Sequence, residues 1–210
     1  MINRERTLAG IALALIGNSR SLTAPERVVA SQAVKVAGPE VDAARMGIMV
    51  GGDPLGADFS IVRSPVTRRQ MGATYTPSAI VDAMIAWTAE EGETPARVVD
   101  PGAGSGRYLT AAALHFPKAA LVAVEIDPLA ALLLRANAAV LGFADRLQMH
   151  VEDYRAISLP KVNGPTLFIG NPPYVRHHEI SEEWKRWFAS TAAAHGFKAS
   201  KLAGLHIHFF

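Results

Sequence analysis

The fold of this 210-residue chain is visible in ten residues, Arg97-Val-Val-Asp-Pro-Gly-Ala-Gly-Ser-Gly106. The first four predict a short buried strand, and glycines then occupy every second position. Such a loop can turn tightly and let its backbone approach a ligand closely. Residues 107–115 predict a helix whose amino end points into the same space. Strand, loop and helix together indicate an open α/β sheet that binds its ligand at the carboxyl ends of its strands.

The spacing of these glycines argues against two common nucleotide-binding loops. A dinucleotide-binding loop has the pattern Gly-x-Gly-x-x-Gly, whereas here Arg107 stands where the last glycine is required. A loop that cradles phosphates needs Gly-Lys-Ser or Gly-Lys-Thr after its glycines, and this sequence has neither. A nicotinamide cofactor and a nucleoside triphosphate are therefore both disfavoured.

Two further strands are predicted, and each leads into acidic residues. Residues 119–124 precede Glu125, which lies about 20 residues past the glycines, where a carboxylate can hold both hydroxyls of a ribose. Ile126 beside it can pack on an adenine ring. Residues 147–151 lead to Asp153, which can accept a hydrogen bond from an adenine amino group. A helix rich in alanine and leucine is predicted at 129–141.

Asn171-Pro-Pro-Tyr174 follows an apolar run, 165–170, that predicts a fourth buried strand. The tetrapeptide suits methyl transfer to a planar, conjugated amino nitrogen, whose lone pair is delocalised. The side-chain oxygen of Asn171 and the carbonyl of Pro172 can each accept one N–H bond and turn the lone pair toward a methyl donor. The two prolines stiffen the loop, and Tyr174 offers a flat face for a planar substrate.

These motifs together resemble those of class I S-adenosylmethionine-dependent methyltransferases. The closest resemblance is to the N6-adenine DNA methyltransferases of bacterial restriction–modification systems. Met71-Gly-Ala-Thr-Tyr-Thr-Pro77 is similar to their motif X, and residues 100–106 to motif I. Glu125 with Ile126 matches motif II, Asp153 motif III and residues 171–174 motif IV.

The resemblance implies a role for each matching residue. The residues implied to bind S-adenosylmethionine are Thr74, Tyr75, Thr76, Pro77, Asp100, Pro101, Gly102, Gly104, Gly106, Glu125, Ile126, Asp153 and Asn171. The implied catalytic residues are Asn171, Pro172 and Tyr174, of which Asn171 and Pro172 would hold the target amine. Tyr174 would also stack on the target base, as would Phe209 near the start of motif V. DNA is the implied partner.

The expected fold is α/β, a partial Rossmann-like methyltransferase sheet with strands in the order 3-2-1-4. Residues 1–66 are expected to form a mainly helical extension and residues 67–210 a partial catalytic domain. Because the sequence ends near motif V, we expect a fragment, a truncated product or one part of a split enzyme. Such a chain alone is expected to be inactive until a C-terminal segment or separate subunit supplies the remaining strands and the target-recognition domain.

Within the extension, helices are predicted near 4–17, 25–36 and 39–46. Residues 47–64 are rich in glycine and predict a loop with one strand at 59–62. Trp184, Trp187 and Phe188 recur at helical spacing and predict a packing face on a helix at 181–191.

Composition is compatible with these expectations. The net charge is only +2 and the isoelectric point about 9.0, so the chain is mildly basic. It has no cysteine, which excludes disulfides and suits the cytoplasm, and no stretch long enough to span a membrane. His177, His178 and Glu179 are adjacent rather than spaced as metal ligands, so no metal site is expected.

Two alternatives stay open at this point. A protein glutamine methyltransferase of the release-factor type also carries Asn-Pro-Pro-Tyr, and a glutamine amide is equally planar. The other alternative is a chain that binds the cofactor without catalysis. The residues favour adenine over the cytosine amino group but do not separate them.

Overall fold

The computed structural model describes residues 2–17, 22–63, 76–90, 92, 94–200 and 203–209. The chain divides into two compact units. One joins Met1–Arg63 to Thr76–Gly170, and the other joins Ser64–Tyr75 to Asn171–Phe210. The predicted domain boundary between residues 66 and 67 falls outside the described residues and stays a prediction.

The first unit contains a four-stranded parallel sheet in the order β3-β2-β1-β4, as the sequence predicts. Its strands are β1 (Arg97–Asp100), β2 (Ala120–Val124), β3 (Leu147–His150) and β4 (Thr166–Phe168). β1 lies between two neighbours, since Val99 is in register with Val122 on one side and Phe168 on the other. The prediction that the fourth strand is buried is wrong in part. β4 is an edge strand of three residues, and Phe168 is 50% exposed.

Eight α-helices lie in the described residues, seven in the first unit and the last in the second. They are α1 (Ile2–Ile16), α2 (Ala24–Ser31), α3 (Gly38–Met49), α4 (Pro54–Val62), α5 (Ser78–Glu90), α6 (Arg107–His115), α7 (Pro128–Val140) and α8 (Glu182–Ala194). None of them is long and apolar enough to cross a membrane.

The expectation of a strand at 59–62 is wrong and that of a loop holds mainly at 50–53, because α3 extends to Met49 and α4 occupies Pro54–Val62. Asp53 caps α4 by accepting a hydrogen bond from the Gly56 amide at 2.8 Å, and Pro54 stands in the first turn. Leu55 and Val62 are buried against the other N-terminal helices. Capping and packing outweigh the strand preference of the apolar run at 59–62.

α7 connects the two hydrophobic cores of the first unit. Ala131, Leu134 and Ala138 face the sheet and pack in one core. The residues on the opposite side of α7 that pack against α1 and the other N-terminal helices are Leu129, Leu132, Leu133 and Ala136. Since it is apolar all round, α7 needs cover on both sides.

An ion pair crosses from α2 to α7 beside the second core. Glu26 is fully buried, and its carboxylate accepts hydrogen bonds from Arg135 Nε at 2.5 Å and Nη2 at 3.2 Å. The same carboxylate accepts the Thr23 amide at 2.7 Å, which completes the capping box of α2. Both oxygens of the buried Glu26 carboxylate therefore accept hydrogen bonds from the chain.

Replacing Glu26 with alanine should lower the free energy of unfolding by about 3 kcal/mol. The change leaves the Arg135 guanidinium buried without its partner, and breaking a buried pair on one side costs about 3–5 kcal/mol. Urea unfolding followed by circular dichroism measures the loss. Glu90→Ala, at an exposed position of α5, is the control. A loss below about 1 kcal/mol would show that the pair contributes no more than a surface pair.

Candidate active site

The glycine loop lies at the carboxyl end of β1 and is fastened to β2. The Ala103 amide donates to the Val124 carbonyl at 3.0 Å, and the Gly104 amide donates to Glu125 Oε2 at 2.7 Å. The Gly106 amide closes a turn onto the Ala103 carbonyl at 2.8 Å. Hydrogen bonds from its own backbone amides thus hold the loop in place.

Two of its glycines are required for different reasons. Gly106 has a φ of +93°, and an added Cβ would lie 2.0 Å from Leu134 Cδ1 on α7. Gly104 also has positive φ, at +53°, but a Cβ there would meet nothing within 4 Å. Gly106 is therefore required both for its positive φ and for close packing on α7, whereas Gly104 is required for its positive φ alone.

Glu125 stands at the end of β2 and is partly exposed. Its Oε2 accepts the Gly104 amide, and its Oε1 accepts the Asp127 amide at 2.9 Å. Burial raises the pKa of Glu125, the backbone N–H bonds oppose that shift, and the nearby Asp127 charge adds to it. The Ile126 amide also acts on this carboxylate, so the chain holds the group in place through backbone N–H donors. Ile126, the next residue, is 58% exposed although it is apolar.

Asp100 is the most deeply buried carboxylate at this edge of the sheet, at 1% exposed. Its Oδ1 accepts the Gly102 amide at 3.2 Å, while Oδ2 has no hydrogen-bond partner among the described residues. Burial raises the pKa of Asp100 to about 7, the Gly102 bond opposes the shift, and the Glu125 charge adds to it. A buried carboxyl group of this kind ionises more readily when a cation lies beside it.

Asp127 has a structural role that the sequence does not reveal. Its carboxylate caps α7 through the Leu129 amide at 2.9 Å. It also accepts Arg63 Nε at 2.8 Å and Nη2 at 3.0 Å. Arg63 in turn pairs with Glu5 of α1. These bonds connect the end of α4 and α1 to the turn that presents Glu125.

Asp153 follows β3, the strand next to β2, at the same edge of the sheet. Its carboxylate accepts the Arg155 amide at 2.9 Å and pairs with the Arg155 guanidinium at 2.5 Å. The paired guanidinium holds the pKa of Asp153 below its usual range, against burial, which acts the other way. The predicted contact of Asp153 with an adenine amino group stays a prediction.

Of the predicted motif X residues, Thr74 and Tyr75 lie outside the described residues. Thr76 is buried, and its carbonyl accepts Arg107 Nη1 at 2.6 Å. Pro77 follows it just before α5. The structure therefore ties this segment to the residue that follows the last glycine of the loop.

These residues fit a cationic nucleoside cofactor such as S-adenosylmethionine. The buried oxygen of Asp100 without a partner and the two carboxylates with raised pKa values suit a positive charge. The carboxylate of Glu125 is an acceptor suited to ribose hydroxyls, and exposed Ile126 suits an apolar ring. Among the described residues no group of three or more histidine, aspartate or glutamate side chains could hold a metal ion.

The second unit carries the Asn-Pro-Pro-Tyr segment. Asn171 is partly exposed, Pro172 is buried and Tyr174 is 59% exposed. The ring of Tyr174 lies 5.5 Å from that of His206, tilted by 32°. Val175 fixes this arrangement, since its carbonyl accepts the Leu205 amide at 3.0 Å.

A pocket of about 400 Å³ opens beside Tyr174. Its lining residues are Tyr174, Val175, Arg176, His177, His178, Gly204 and His206. His206 is a residue that sequence analysis left without a role. Phe209 ends the same 3₁₀ turn, Leu205–Phe209, and is partly buried. Its predicted stacking on the target base stays a prediction.

The aromatic side chains of α8 pack on one another, as their spacing predicts. His208 is buried and its ring stacks on Phe188 at 4.4 Å between centroids. Trp184 and Trp187 lie 5.6 Å and 6.2 Å from the same ring. This cluster holds the 3₁₀ turn that carries His206 within the second unit.

Comparison with known proteins agrees with this arrangement. Residues 63–203 match the model of the N-6 DNA Methylase family, and the chain belongs to that family. S-adenosylmethionine is the cofactor of this class of methyltransferase. The four N-terminal helices, up to residue 62, precede the matched region.

One similar protein is the Type II methyltransferase M.XamI of Xanthomonas campestris pv. amaranthicola. It is 50% identical over 210 residues, which cover 98% of this chain and 39% of the relative. The alignment thus includes the N-terminal helices. The chain spans about two fifths of the length of the curated relatives it matches.

More distant relatives match only part of the chain. A tRNA1(Val) (adenine(37)-N6)-methyltransferase of Porphyromonas gingivalis W83 is 36% identical over 50% of this chain and 43% of its own. A release factor glutamine methyltransferase of Cereibacter sphaeroides is 29% identical over 57% of this chain and 40% of its own. A solved modification subunit of a putative type I restriction enzyme from Vibrio vulnificus YJ016 aligns at a TM-score of 0.36 and 18% identity. It covers 61% of this chain and 28% of its own, a likeness too low to carry an argument.

Asp100 should make stability fall as pH rises from about 4 to about 7. The pKa of Asp100 is raised in the folded chain, so the native state binds this proton more tightly than the unfolded state over that range. The penalty is absent below the unfolded pKa and complete above about 7, and amounts to at most about 4 kcal/mol.

Asp100→Asn should therefore be more stable than the wild type at pH 8 and equal to it near pH 4. Urea unfolding at several pH values measures this difference, with Asp58→Asn at an exposed position of α4 as the control. The pKa of Glu125 is raised as well, so a smaller slope should remain in the variant. Parallel curves for the wild type and Asp100→Asn would contradict the assignment.

Proposed function

We propose that this chain is the cofactor-binding and amine-holding part of a DNA methyltransferase that modifies the N6 amino group of adenine. The observation that carries the proposal is the glycine loop beside two carboxylates, Asp100 and Glu125, the first of which is buried and has an oxygen without a partner. Asn171-Pro-Pro-Tyr174 and membership of the N-6 DNA Methylase family support methyl transfer to a planar amine. The similarity to a Type II methyltransferase over nearly the whole chain supports DNA as the substrate.

In the cofactor half, Glu125 accepts hydrogen bonds from the ribose hydroxyls while the Gly104 and Asp127 amides hold its carboxylate in place. Asp100 would pair with the positively charged amino-acid part of the cofactor. When bound, S-adenosylmethionine would supply a sulfonium methyl group: as the nitrogen lone pair attacks the methyl carbon, the carbon–sulfur bond breaks and S-adenosylhomocysteine leaves. Ile126 would pack on the adenine ring, and Asp153 would accept a hydrogen bond from its amino group.

In the target half, Asn171 and Pro172 act on the amino group of the base. Each accepts one N–H bond, through the side-chain oxygen of Asn171 and the carbonyl of Pro172, and this redirects the nitrogen lone pair. Tyr174 stacks on the base through its exposed ring, with Phe209 as the second predicted ring. After transfer the nitrogen carries an extra proton and loses it to solvent, so a strong general base is not required.

Recognition of duplex DNA requires more surface than these residues supply. Flipping a base out of the duplex costs a few kcal/mol, and stacking on an aromatic ring returns about 1–3 kcal/mol. A net charge of +2 provides few phosphate contacts. The proposal therefore includes a C-terminal segment or a separate subunit that carries target recognition, and a cytoplasmic location, where bacterial DNA lies.

Glu125→Ala should weaken S-adenosylmethionine binding by about 100-fold, because two hydrogen bonds to a charged acceptor are lost. Glu125→Gln keeps an acceptor for the Gly104 amide and should show a smaller loss. Calorimetric titration of the 210-residue chain measures both variants, with Glu90→Ala as an exposed control. Equal affinity in the wild type and Glu125→Ala would rule out the ribose assignment.

Asn171→Ala should lower kcat at least tenfold while KM for S-adenosylmethionine changes little. A hydrogen bond that strengthens in the transition state appears in kcat rather than in ground-state binding. The measurement uses an active, longer enzyme that contains this chain, with Asn171→Asp, which keeps an acceptor oxygen, as the matched control. Unchanged turnover in Asn171→Ala would refute the role.

The same assay identifies the substrate. Nucleoside mass analysis of methylated DNA distinguishes N6-methyladenine from N4-methylcytosine. Labelled methyl groups in a release-factor peptide but not in DNA would favour the glutamine methyltransferase, which the relative at 29% identity keeps as the second candidate. S-adenosylmethionine binding without any transfer by the longer enzyme would favour a non-catalytic chain.

A further inference from the structure

Asp53 connects the N-terminal helices to the glycine loop. Its Oδ1 accepts the Gly56 amide and caps α4, while its Oδ2 accepts the Ser105 hydroxyl at 2.8 Å and Arg107 Nε at 3.1 Å. Ser105 belongs to the glycine loop, and Arg107 begins α6. One carboxylate therefore holds the start of α4 and the end of the loop at the same time.

The surroundings of this carboxylate are closely packed. A Cβ added to Gly56 would lie 2.2 Å from Asp53 Oδ2 and 2.5 Å from Ser105 Oγ. The side chains of Asp53 and Arg107 are only 11% and 21% exposed. A charged pair with so little solvent contact is screened weakly by salt, and its hydrogen bonds are charge-assisted.

The loop residues that Asp53 holds are also fixed from other directions. The Ser105 carbonyl accepts Asn137 Nδ2 of α7 at 2.9 Å, and both groups are buried. Arg107 donates to the Thr76 carbonyl at 2.6 Å. The bonds of Asp53 thus lead through Arg107 to Thr76, which is among the residues predicted to bind the cofactor.

We propose that Asp53 is a positioning residue that sets the affinity for S-adenosylmethionine by holding the glycine loop in its binding conformation. This inference rests on the proposed function of the loop as the cofactor site. A loop that is ordered beforehand loses less conformational entropy when the ligand arrives. Asp53 lies before residue 63, outside the region that defines the family, so the N-terminal helices form part of this cofactor site.

Asp53→Ser separates this role from a purely structural one. Serine is as good a helix cap as aspartate, so α4 keeps its cap, but a neutral hydroxyl that bonds the Gly56 amide has no charge for Arg107 and Ser105. We expect the 210-residue chain with Asp53→Ser to bind S-adenosylmethionine about tenfold more weakly in calorimetric titration. Asp58→Asn, which removes an exposed charge from the same helix, should bind like the wild type.

Hydrogen exchange supplies a readout that does not depend on the cofactor. The amides of residues 103–107 should exchange faster in Asp53→Ser than in Asp58→Asn, because the loop opens more often. Ser105→Ala removes only the hydroxyl and should weaken binding about threefold. Combined with Asp53→Ser it should add less than its own effect, since both variants remove the same bond.

The possible outcomes separate the two proposals. If the wild type binds S-adenosylmethionine and Asp53→Ser binds equally well, the positioning role is wrong while the proposed function stands. If Asp53→Ser does not fold, full wild-type affinity in Ser105→Ala overturns the positioning role and a threefold loss supports it. If the wild type itself shows no binding, the proposed function fails and the positioning role with it.

Discussion

Helix α7 is buried around its whole circumference, and the first unit is organised by the need to cover it. One face packs on the sheet through Leu134, and the other packs on α1 through Leu132 and Leu133. A helix with apolar side chains on every side is unstable in water, so the N-terminal helices are needed to cover the side of α7 that faces away from the sheet. The same helix receives Gly106 against Leu134, and its Asn137 holds Ser105. The position of the glycine loop therefore depends on α7. The position of α7 depends in turn on the sheet on one side and on the N-terminal helices on the other.

Charge is distributed unevenly among the acidic residues near this loop. Asp127 pairs with Arg63, and Asp53 pairs with Arg107. These ion pairs connect the N-terminal helices to the turn after β2 and to the start of α6. Asp100 and Glu125 have backbone N–H donors but no cationic side chain paired with them among the described residues. The fold thus pairs the carboxylates that serve structure with arginines, and leaves without such a partner the two that are predicted to bind the cofactor. A cation completes such a site better than a neutral molecule of the same shape.

The strands and the glycine loop could be predicted because both depend on local signals, whereas the strand order followed only from the resemblance to the methyltransferase family. Apolar runs, glycine spacing and acidic residues at strand ends lie close together in the sequence. The bonds of Asp53 and Arg63 could not be predicted in this way, since they join residues that are 52 to 64 positions apart. The glycine-rich residues before α4 predict a loop, although Asp53 and Pro54 are typical of the start of a helix. His206 gave no signal, as its meeting with Tyr174 depends on how the 3₁₀ turn folds back onto Val175.

β4 pairs with β1 along one side only among the described strands, and its three residues are partly or largely exposed. No described strand pairs with its outer side, so the deuterium uptake of the amides on that side is expected to be fast. A further strand added at this edge, from whatever source, would protect residues 166–168 while the uptake of β1 and β2 stays slow. Amide exchange at these three residues would thus report directly whether another strand pairs with this edge. It would follow assembly with a partner segment without any measurement of methyl transfer.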